Sequence, residues 1–513
     1  MVAKVNCIAT RFASYYTGLL VMTWLTSAIS VAQGLRAPGT YEVETGAYFS
    51  SSYKTPFWLR SNQYGIVPYN SPAFTLRLGA YANYDSTLDK RKFDIGYGLN
   101  VVGNLTQEPL PYERQVLLPE AYIKVRKGIF EAYVGRRREK FGLADSTLST
   151  GSYAWSGNAI PIPKIQLSIP TFTPIGFTKG WVAIQGTYAH GFLGGTGFVR
   201  NTMLHQKTFY VRLGRPKDVV RVYGGFNHQV IWGGRTDYLK GTGLVRDDGR
   251  LPSSLIDYYY VVVGDRFSRT DSSAYTTFEI TNRVGNHLGT LDVGLEIDLV
   301  KHTLFFYRQN IYEDGSLFYL INIADGLNGL RIRRNNPDAL VRDFIIEFLN
   351  TTSQGGPLFV WGDPYRQGKD NYFNHQQYRD GWAYRQHTIG TPFIPPALGP
   401  NGEYPFGTFT ANNRVRVLHA GMAGSLPDIR WPILDGRITY QLKLSYSTNL
   451  GTYDQPYLPV RNQFSGFANL VVPLSLLGGM QLTGSLATDS GPLYTNGVGV
   501  YLGLRKVFST EAY

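Results

Sequence analysis

Apolar and polar residues alternate with a period of two through much of the chain. The stretch FTLRLGAYANY (74–84) carries apolar side chains at its even positions and mostly polar ones at its odd positions. The same alternation recurs in FDIGYGLNV (93–101), LDVGLEIDL (291–299), RITYQLKLSYS (437–447) and VGVYLGL (498–504). Because successive strand side chains point to opposite sides of a sheet, the pattern predicts β-strands with one apolar and one polar face.

The length of these strands indicates what the apolar face contacts. The strands run for about nine to eleven residues, which lets a tilted strand cross a bilayer, whereas strands of soluble sandwiches commonly have about five or six. AYIKVRKGIFEAYVG (121–135) predicts two strands with a tight turn at Lys127-Gly128. We therefore predict an all-β fold, a transmembrane antiparallel β-barrel. A large secreted sandwich or propeller is the alternative, although no blade-length repeat is present.

Aromatic residues of such barrels form girdles at the two membrane interfaces. Four tyrosines near strand ends on the apolar face are candidates for these girdles: Tyr84, Tyr97, Tyr440 and Tyr446.

One stretch departs from the strand pattern. NNPDALVRDFIIEFLN (335–350) spaces Leu340, Phe344 and Phe348 four apart, and Asp338 after Pro337 could cap a helix there. The spacing predicts a short amphipathic helix within a long connection.

The first residues have the pattern of a secretory signal. Lys4 and Arg11 come before or at the edge of a mostly apolar stretch (12–30), and Ser30-Val31-Ala32 supplies the small residues that a signal peptidase requires. We predict a signal peptide over 1–32 and one barrel domain over 33–513, with an uncleaved membrane anchor as the alternative. The one cysteine, Cys7, falls within the signal, so the predicted mature chain has no disulfide and no thiolate metal ligand.

Composition and motifs restrict the chemistry. The chain has 37 Tyr, 28 Phe and 57 Gly but 17% charged residues, which suits curved sheets with tight turns. A net charge of +13 fits an acidic polymer or anionic lipid head groups as partners, and nucleic acid is not expected for an exported barrel. The sequence contains neither a GxSxG nucleophile motif nor an HExxH zinc motif. We expect no enzyme activity, no metal and no cofactor.

An ordered set of segments resembles the capsule assembly protein Wzi family. The segments are 148–172, 177–191, 204–214, YGGFNHQVIWGG (223–234), GNHLG (285–289), YRQNIYEDGS (307–316), DGLNGL (325–330), 371–393 and NNRVR (412–416). The resemblance implies an outer-membrane barrel of about 18 strands with an occluded lumen. It also implies a lectin-like, non-enzymatic role in holding capsular or other surface polysaccharide at the cell. Outer-membrane lipid and polysaccharide export machinery are further expected partners.

The stretch NYFNHQQYRDGWAYRQHTIGTPF (371–393) is the candidate binding surface. Flat aromatic rings suit the apolar faces of sugars, and amide or guanidinium groups suit hydroxyls and acids. The candidate glycan-binding residues are Tyr372, Asn374, Arg379, Trp382, Tyr384, Arg385 and Gln386. The alternative is a loop that folds into the lumen and plugs it. The two roles are compatible.

Polar positions on the strands are expected to line the lumen. They are Arg77, Lys124, Arg126, Asn227, Gln229, Glu296, Asp298, Arg437 and Lys443. The basic ones would suit an outer-membrane porin-like channel for small solutes, anions among them, and this is the alternative function. GRRRE (135–139) is interpreted as a solvated interfacial patch or as a contact for acidic polysaccharide.

Overall fold

The chain forms a sheet that closes on itself. The computed structural model describes residues 39–85, 92–110, 113–194, 197–264, 275–313, 316–360, 368–397, 407–427, 432–476 and 478–510, so the predicted signal peptide lies outside the described residues. Eighteen antiparallel strands form one sheet. The first strand, Gly39–Ser50, pairs on one side with the second strand and on the other side with the last, Gly497–Thr510. This pairing leaves no sheet edge, as a membrane-spanning sheet requires.

The strands are numbered in chain order. They are β1 Gly39–Ser50, β2 Ala73–Ala82, β3 Asp94–Thr106, β4 Val116–Lys127, β5 Phe130–Arg136, β6 Lys164–Pro174, β7 Val182–Gly194, β8 Thr202–Leu213, β9 Val220–Trp232, β10 Asn286–Asp298, β11 His302–Tyr312, β12 Gly326–Arg334, β13 Asp343–Asn350, β14 Ala383–Tyr384, β15 His387–Thr388, β16 Val415–Ser425, β17 Thr439–Gly451, β18 Pro456–Leu474, β19 Met480–Ser490 and β20 Gly497–Thr510. β14 and β15 form a separate two-stranded hairpin. The helices are α1 Phe57–Arg60, α2 Leu255–Val263 and α3 Thr277–Thr281, with a 3-10 turn at Gly176–Thr178.

The period of two in the sequence corresponds to the two sides of the barrel wall. On β2, Phe74, Leu76 and Leu78 are exposed on the outside, while Thr75 is buried and Arg77 half-buried on the inside. The apolar rows therefore face lipid and the polar rows face the lumen, which confirms the predicted barrel. The sandwich and propeller alternatives are wrong, because either fold would bury the apolar rows between layers.

The two ends of the barrel differ in the length of their connections. At one end the turns are short, as between β4 and β5 or between β10 and β11. At the other end the connections are long and include residues 137–163, 233–285 and 351–414. Outer-membrane barrels have short periplasmic turns and longer extracellular loops. The long connections therefore mark the extracellular end, and the start of β1 and the end of β20 lie at the periplasmic end.

Several extracellular connections fold into the lumen and form a plug. The main buried aromatic side chains come from these connections rather than from the strands, and Tyr153 and Phe373 pack with ring centroids 5.2 Å apart. The largest plug side chains in this core are Phe57, Trp58, Tyr153, Tyr372, Phe373, Tyr378, Trp382 and Phe409. The hydrophobic core thus lies inside the barrel, and the predicted occluded lumen is observed.

The helix predicted from the spacing in 335–350 is wrong. Residues Asp343–Asn350 form β13, which pairs with β12 and β16. Phe344 and Phe348 point outward, while Ile345 and Leu349 are buried against the lumen side. Positions four apart also share one face of a strand, and Ile345 and Leu349 make the inner face of β13 partly apolar where it contacts the plug. The spacing alone could not separate a helix from a strand here.

The predicted tyrosine girdle needs one correction. Tyr446 is half exposed on the outer face of β17, and Tyr97 and Tyr440 are partly exposed there. Tyr84 lies beyond the end of β2, and its hydroxyl donates to Glu131 Oε2 at 2.9 Å. Because Glu131 is a buried residue of the inner face, Tyr84 turns toward the lumen instead of the lipid.

The connection between β9 and β10 folds back over the outside of the wall. Its helix α2 packs Val261 into a cluster with outward-facing Val230 and Trp232. The outward-facing His205 and His228 are buried, so this cover separates polar side chains from lipid. His228 on β9 lies in this covered part of the wall. None of the helices in the described ranges is long and apolar enough to cross a membrane.

Candidate extracellular binding cavity

A cavity of about 670 Å³ lies at the extracellular end, between the strand ends and the plug. Asn104 at the end of β3, Leu117 near the start of β4 and Thr202 at the start of β8 form part of its wall. Eight further lining residues come from the plug between 378 and 387, and the others come from the neighbouring extracellular connections and strand ends. Cavities of about 300–1,000 Å³ are typical for small organic ligands. The position and size fit a short segment of an extracellular molecule.

The hairpin β14–β15 places two candidate residues at this cavity. Tyr384 pairs with His387, so Arg385 and Gln386 form a two-residue turn. Their φ angles are +50° and +57°, as in the type I′ turn of a tight hairpin. Glycine or asparagine normally occupies these left-handed positions, because other residues are strained there. The fold thus holds an arginine and a glutamine at the cavity wall at a cost in local stability.

Guanidinium groups surround Tyr384. Arg136 Nη2 donates to the Tyr384 hydroxyl at 3.0 Å. The guanidinium carbons of Arg136 and Arg385 lie 5.8 and 5.5 Å from the centre of its ring. Burial lowers the pKa of Arg385, and the positive charges of Arg136 and Arg114 lower it further, although Tyr384 opposes these effects. This wall is therefore a concentrated, partly desolvated positive surface beside an aromatic ring.

Two carboxylates also line the cavity, but backbone groups hold both. Glu113 accepts hydrogen bonds from the backbone N–H groups of Tyr69 at 2.9 Å and of Leu110 at 3.3 Å. Asp380 accepts from the backbone N–H groups of Phe198 at 3.1 Å and Val199 at 2.9 Å. Burial raises the pKa of both carboxyl groups. Their hydrogen bonds fix the extracellular connections around the cavity.

Tyr69 and His387 form another part of the cavity wall. The two rings lie 5.4 Å apart, and the guanidinium carbon of Arg60 lies 4.7 Å from the Tyr69 ring centre. Burial lowers the pKa of His387 to about 4, and its Nδ1 is 2.9 Å from the carbonyl oxygen of Arg385. His387 is therefore neutral at neutral pH and supports the hairpin turn through its ring N–H.

The structure divides the seven candidate glycan-binding residues. Tyr384, Arg385 and Gln386 line the cavity. Tyr372 and Trp382 are fully buried in the plug, where the Tyr372 hydroxyl donates to Asp325 Oδ2 at 3.0 Å and Trp382 Nε1 donates to Asn286 Oδ1 at 3.2 Å. These two side chains have no surface for a glycan in this conformation.

The other two candidates hold the plug to a neighbouring connection. Asn374 Nδ2 donates to the carbonyl oxygen of Thr410 at 3.0 Å, and the Thr410 N–H donates back to Asn374 Oδ1 at 2.9 Å. Arg379 Nη1 donates to the carbonyl oxygen of Gly407 at 3.3 Å. Neither residue lines the cavity.

The predicted lumen-facing cations are mostly compensated. Arg77 pairs with Glu44 at 3.0 Å, and Arg126 pairs with Asp94 at 2.7 Å. Lys124 Nζ donates to Asn83 Oδ1 at 3.1 Å. The predicted acidic residues are compensated as well.

Those acidic residues, Glu296 and Asp298, lie 2.5 and 3.5 Å from Arg221. The amide Gln229 donates to the carbonyl oxygen of Ala154 at 2.7 Å, and Asn227 is buried on the same inner face of β9. The inner wall is therefore an ion-pair and hydrogen-bond network around the plug.

Lys443 lies on the wall of a second cavity of about 370 Å³ inside the lumen, with its ammonium 4.8 Å from the Trp58 ring centre. This cavity and the extracellular one have no lining residue in common among the described residues. Arg437 differs from its prediction, because it precedes β17 at the periplasmic end and donates to the carbonyl oxygen of Asp338 at 3.3 Å.

The basic run GRRRE does not form an interfacial patch. Arg137 pairs with Glu131 at 2.5 Å, and Arg138 Nη2 donates to Asn100 Oδ1 at 2.9 Å, both on the lumen side. Only Arg136 of the run lies on the cavity wall. The interfacial interpretation is wrong because the chain after β5 turns into the lumen instead of out to solvent. Arg136 belongs to the run whose alternative interpretation was a contact for acidic polysaccharide, whereas Arg114 is a cavity residue that the sequence did not single out.

The described residues contain no group of three or more His, Cys, Asp or Glu side chains arranged to hold a metal ion. What the cavity offers is hydrogen-bond donors, positive charge and aromatic rings. This chemistry is that of recognition, since it can hold hydroxyls, acids and apolar sugar faces.

Together, the closed wall, lipid-facing apolar rows and plugged lumen define an outer-membrane β-barrel with an extracellular cavity. The chain belongs to the capsule assembly protein Wzi family, whose family model matches residues 36–394, and this confirms the resemblance seen in the sequence. Among curated proteins, none matches the chain.

A solved structure of the same family shows the same fold. The Wzi protein of Escherichia coli, described as an outer membrane protein involved in group 1 capsule assembly and a carbohydrate-binding β-barrel, is 14% identical with a TM-score of 0.56, covering 92% of this chain and 85% of that one. The opdK protein of Pseudomonas aeruginosa is 9% identical with a TM-score of 0.46, covering 93% of this chain and 100% of that one. A BenF-like porin of Pseudomonas fluorescens is 8% identical with a TM-score of 0.46, covering 92% and 98%. The fits to these last two structures are too loose to carry an argument.

Proposed function

We propose that this protein binds capsular or other surface polysaccharide at the extracellular end of its barrel and holds it at the outer membrane, without acting on it as an enzyme. The observation that carries the proposal is the extracellular cavity lined by Tyr384, Arg385 and Gln386 above a filled lumen. A plug that also presents ligand-binding groups outward favours retention over transport. Outer-membrane lipid surrounds the wall, and polysaccharide export machinery is a proposed partner.

The chemistry of the cavity supports a glycan. Tyr69 provides partly exposed aromatic surface beside the largely buried Tyr384, and arginine and glutamine side chains provide donors for hydroxyls and acids. Family membership supports the same proposal, because the Escherichia coli Wzi protein is described as carbohydrate binding. Non-enzymatic retention also agrees with the lack of a nucleophile or zinc motif in the sequence.

Retention of a polymer does not require a strong single site. One aromatic contact contributes roughly 0.5–1.5 kcal/mol beyond its buried area. A polysaccharide repeats its unit, so it can bind many barrels at once, and linked weak contacts then give high avidity. We therefore expect weak binding of short oligosaccharides and firm retention of long chains on cells.

Deletion of the gene in its own host tests the proposal. The amounts of cell-attached and shed polysaccharide are measured in the deletion strain and in strains complemented with the native protein or an Arg385→Gln, Gln386→Ala double variant. We expect polysaccharide to move from the cell-attached to the shed fraction, with restoration by the native protein and incomplete restoration by the variant. Unchanged retention in the deletion strain would contradict the proposed function.

The porin-like alternative makes a different prediction. The second cavity with Lys443 on its wall is the feature that could serve small solutes, but buried plug residues such as Trp58 and Leu59 also form its wall. In planar bilayers we expect the native barrel to show little or no steady current. A large, stable open conductance would support the channel instead.

A further inference from the structure

The guanidinium groups of three arginines lie around the extracellular cavity. Arg136 is the last residue of β5, Arg385 is at the tip of the β14–β15 hairpin, and Arg114 is an exposed residue just before β4. They come from separate parts of the chain, and the fold brings them to one wall. Arg136 and Arg385 share the ring of Tyr384 between them, at 5.8 and 5.5 Å from its centre.

These arginines have no carboxylate partner among the described residues. Elsewhere in the barrel, arginines such as Arg77, Arg126 and Arg137 form ion pairs with Glu or Asp. In the cavity, Arg136 donates from Nη2 to Tyr384, while its Nη1 is buried with no hydrogen-bond partner in the described structure. A buried guanidinium donor without an acceptor is costly, so its presence at a cavity wall points to a missing anionic partner.

The acidic residues of the cavity do not supply this partner. Backbone N–H groups hold the carboxylates of Glu113 and Asp380, and neither forms an ion pair with a cavity arginine within the described residues. The formal charge of the wall is 3 − 2 = +1 from Arg114, Arg136, Arg385, Glu113 and Asp380. The positive part of this charge is concentrated beside Tyr384.

We infer that the cavity is a subsite for an acidic sugar residue, with a carboxylate on the sugar ring bound by Arg385 and Arg136 and met at the mouth by Arg114. The inference rests on the proposed function and specifies its ligand class, a carboxylate-bearing glycan. The planar guanidinium fork matches a carboxylate in two hydrogen bonds, which lysine could not do. Tyr69 is partly exposed on the cavity wall and provides ring surface for the apolar face of the sugar, beside the largely buried ring of Tyr384.

Phosphate could use the same guanidinium groups, so the rings decide between the sources. A phosphate group alone, free or on a lipid head group, would need the donors but not an aromatic wall. A sugar ring with a carboxylate uses both. The carboxylate-bearing glycan is therefore the ligand that the described wall fits best, and phosphate is a distinct outcome of the experiment.

Calorimetric titration of the purified full-length barrel in detergent tests the inference. The probes are trigalacturonate, a trisaccharide with three carboxylates, and maltotriose, a neutral trisaccharide of equal length. Variants Arg385→Gln and Arg114→Gln remove charge from the cavity. Arg379→Gln is the matched control, because Arg379 lies on the same plug segment, donates to Gly407 and does not line the cavity. Heat-modifiable migration on gels verifies folding of each variant.

We expect trigalacturonate to bind at least about ten-fold more tightly than maltotriose, with binding weakened by high salt. We expect Arg385→Gln and Arg114→Gln to weaken trigalacturonate binding about ten-fold or more and Arg379→Gln to leave it unchanged. Equal binding of the two trisaccharides, or full binding by Arg385→Gln, would overturn the inference. Inorganic phosphate is the competitor. If phosphate binds the cavity more tightly than trigalacturonate and displaces it, the inference is also overturned and the site is assigned to phosphate.

A parallel experiment separates this inference from the proposed function. The barrel is immobilised and exposed to polysaccharide purified from the host, either intact or with its carboxyl groups chemically reduced to alcohols. Capture of the intact polymer with loss on reduction supports both proposals. Equal capture of both polymers supports the proposed function and overturns the acidic subsite. Trigalacturonate binding without capture of the host polymer supports the subsite and contradicts the proposed function.

Discussion

At the scale of single residues, the turn Arg385-Gln386 is the clearest sign of function in the plug. Two consecutive non-glycine residues with φ of +50° and +57° occupy a tight hairpin, where sequences usually have Asn-Gly. Such strained positions persist where the surrounding structure enforces them, and they concentrate at ligand sites. Here the turn lies on a cavity wall that also carries arginine and tyrosine side chains.

The turn allows a prediction that separates binding from folding. Gln386→Gly removes the side chain, and glycine readily adopts the left-handed conformation of this position. We therefore expect the free energy of unfolding in urea to stay the same or to rise by at most about 1 kcal/mol. Gln386→Val removes the same amide and adds a β-branched side chain that the left-handed region disfavours, so we expect lower resistance. If the amide itself binds glycan, both variants lose polysaccharide retention to the same extent. Loss of polysaccharide retention in Gln386→Val but not in Gln386→Gly would show that Gln386 acts only by stabilising the hairpin.

The buried aromatic residues give a second prediction. Trp382 is fully buried and donates to Asn286, so Trp382→Ala leaves a cavity and costs about 3–5 kcal/mol, whereas Trp382→Phe should cost less. We expect Trp382→Ala to lower retention only together with the melting temperature of the plug, measured by tryptophan fluorescence. Reduced retention at an unchanged melting temperature would contradict this and would place Trp382 in direct contact with glycan.

The sequence identified the right kinds of residue in 371–393 but not their directions. Aromatic and guanidinium side chains were expected to bind glycan together, yet Tyr372 points into the core while Arg385 points into the cavity. A loop has no fixed period, so the side of each residue depends on contacts with distant segments. The same limit hid Arg114, which reaches the cavity only because β4 begins beside the plug.

At the scale of elements, strands were predictable because a membrane wall has two chemically different sides along its whole length. The alternation in 74–84, 93–101 and 437–447 therefore corresponds to β2, β3 and β17. β13 escaped because Ile345 and Leu349 of its inner face contact the apolar plug, so apolar residues interrupt the alternation along that strand. Contact with the plug thus weakens the alternation of apolar and polar residues from which a strand is predicted.

The plug segment also has a predictable response to pH. Burial, together with the nearby charges of Arg379 and Arg60, lowers the pKa of His375 and of His387 to about 4. The unfolded histidine titrates near 6.5, so between these values the unfolded plug binds more protons and stability falls as pH falls. His375 Nδ1 accepts from the N–H groups of Gln377 and Tyr378 at 3.1 and 3.2 Å, and protonation would break both contacts.

Intrinsic amide exchange slows as pH falls from 7 to 4.5. We therefore expect the protection of plug amides, measured by mass spectrometry as the ratio of intrinsic to observed exchange rate, to decrease over this range. The strands serve as the internal control, since their ladder hydrogen bonds do not involve these histidines. A His375→Asn variant keeps a hydrogen-bonding side chain that does not titrate in this pH range. The protection of its plug amides should therefore depend less on pH. Equal pH dependence in this variant and the native protein would contradict the assignment to His375.

The outer-wall helix α2 gives a prediction about the bilayer. Leu255, Tyr259 and Val263 are exposed on its free side, while Val261 packs on the wall. An amphipathic helix with its apolar side beside the lipid-facing wall is expected to contact the outer leaflet. A fluorophore on Tyr259→Cys, placed in a Cys7→Ser background, should be quenched by brominated lipids. The same label on Asp247→Cys in that connection is the control, and equal quenching at both sites would contradict the expectation.

At the scale of the whole molecule, the wall and the plug are separable parts. β13 pairs directly with β16, from Asp343 opposite Ala423 to Asn350 opposite Arg416. The connection between them, 351–414, therefore adds no strand to the closed ladder of the wall. The wall depends on backbone hydrogen bonds that close around the barrel, whereas occlusion of the lumen and binding depend on what the extracellular connections place inside it.

This separation predicts the effect of removing the central plug segment. Replacing residues 368–397 with a short Gly-Ser linker deletes the β14–β15 hairpin and Trp382 but no strand of the wall. We expect a barrel that still migrates as a folded, heat-modifiable band, conducts ions steadily in planar bilayers and no longer retains polysaccharide. The matched control is a linker of equal length in place of the described loop residues 241–250, which lie in another extracellular connection. If the deletion leaves both conductance and retention unchanged, then neither the seal of the lumen nor the glycan site is in this segment, and the binding surface must be sought in the other extracellular connections.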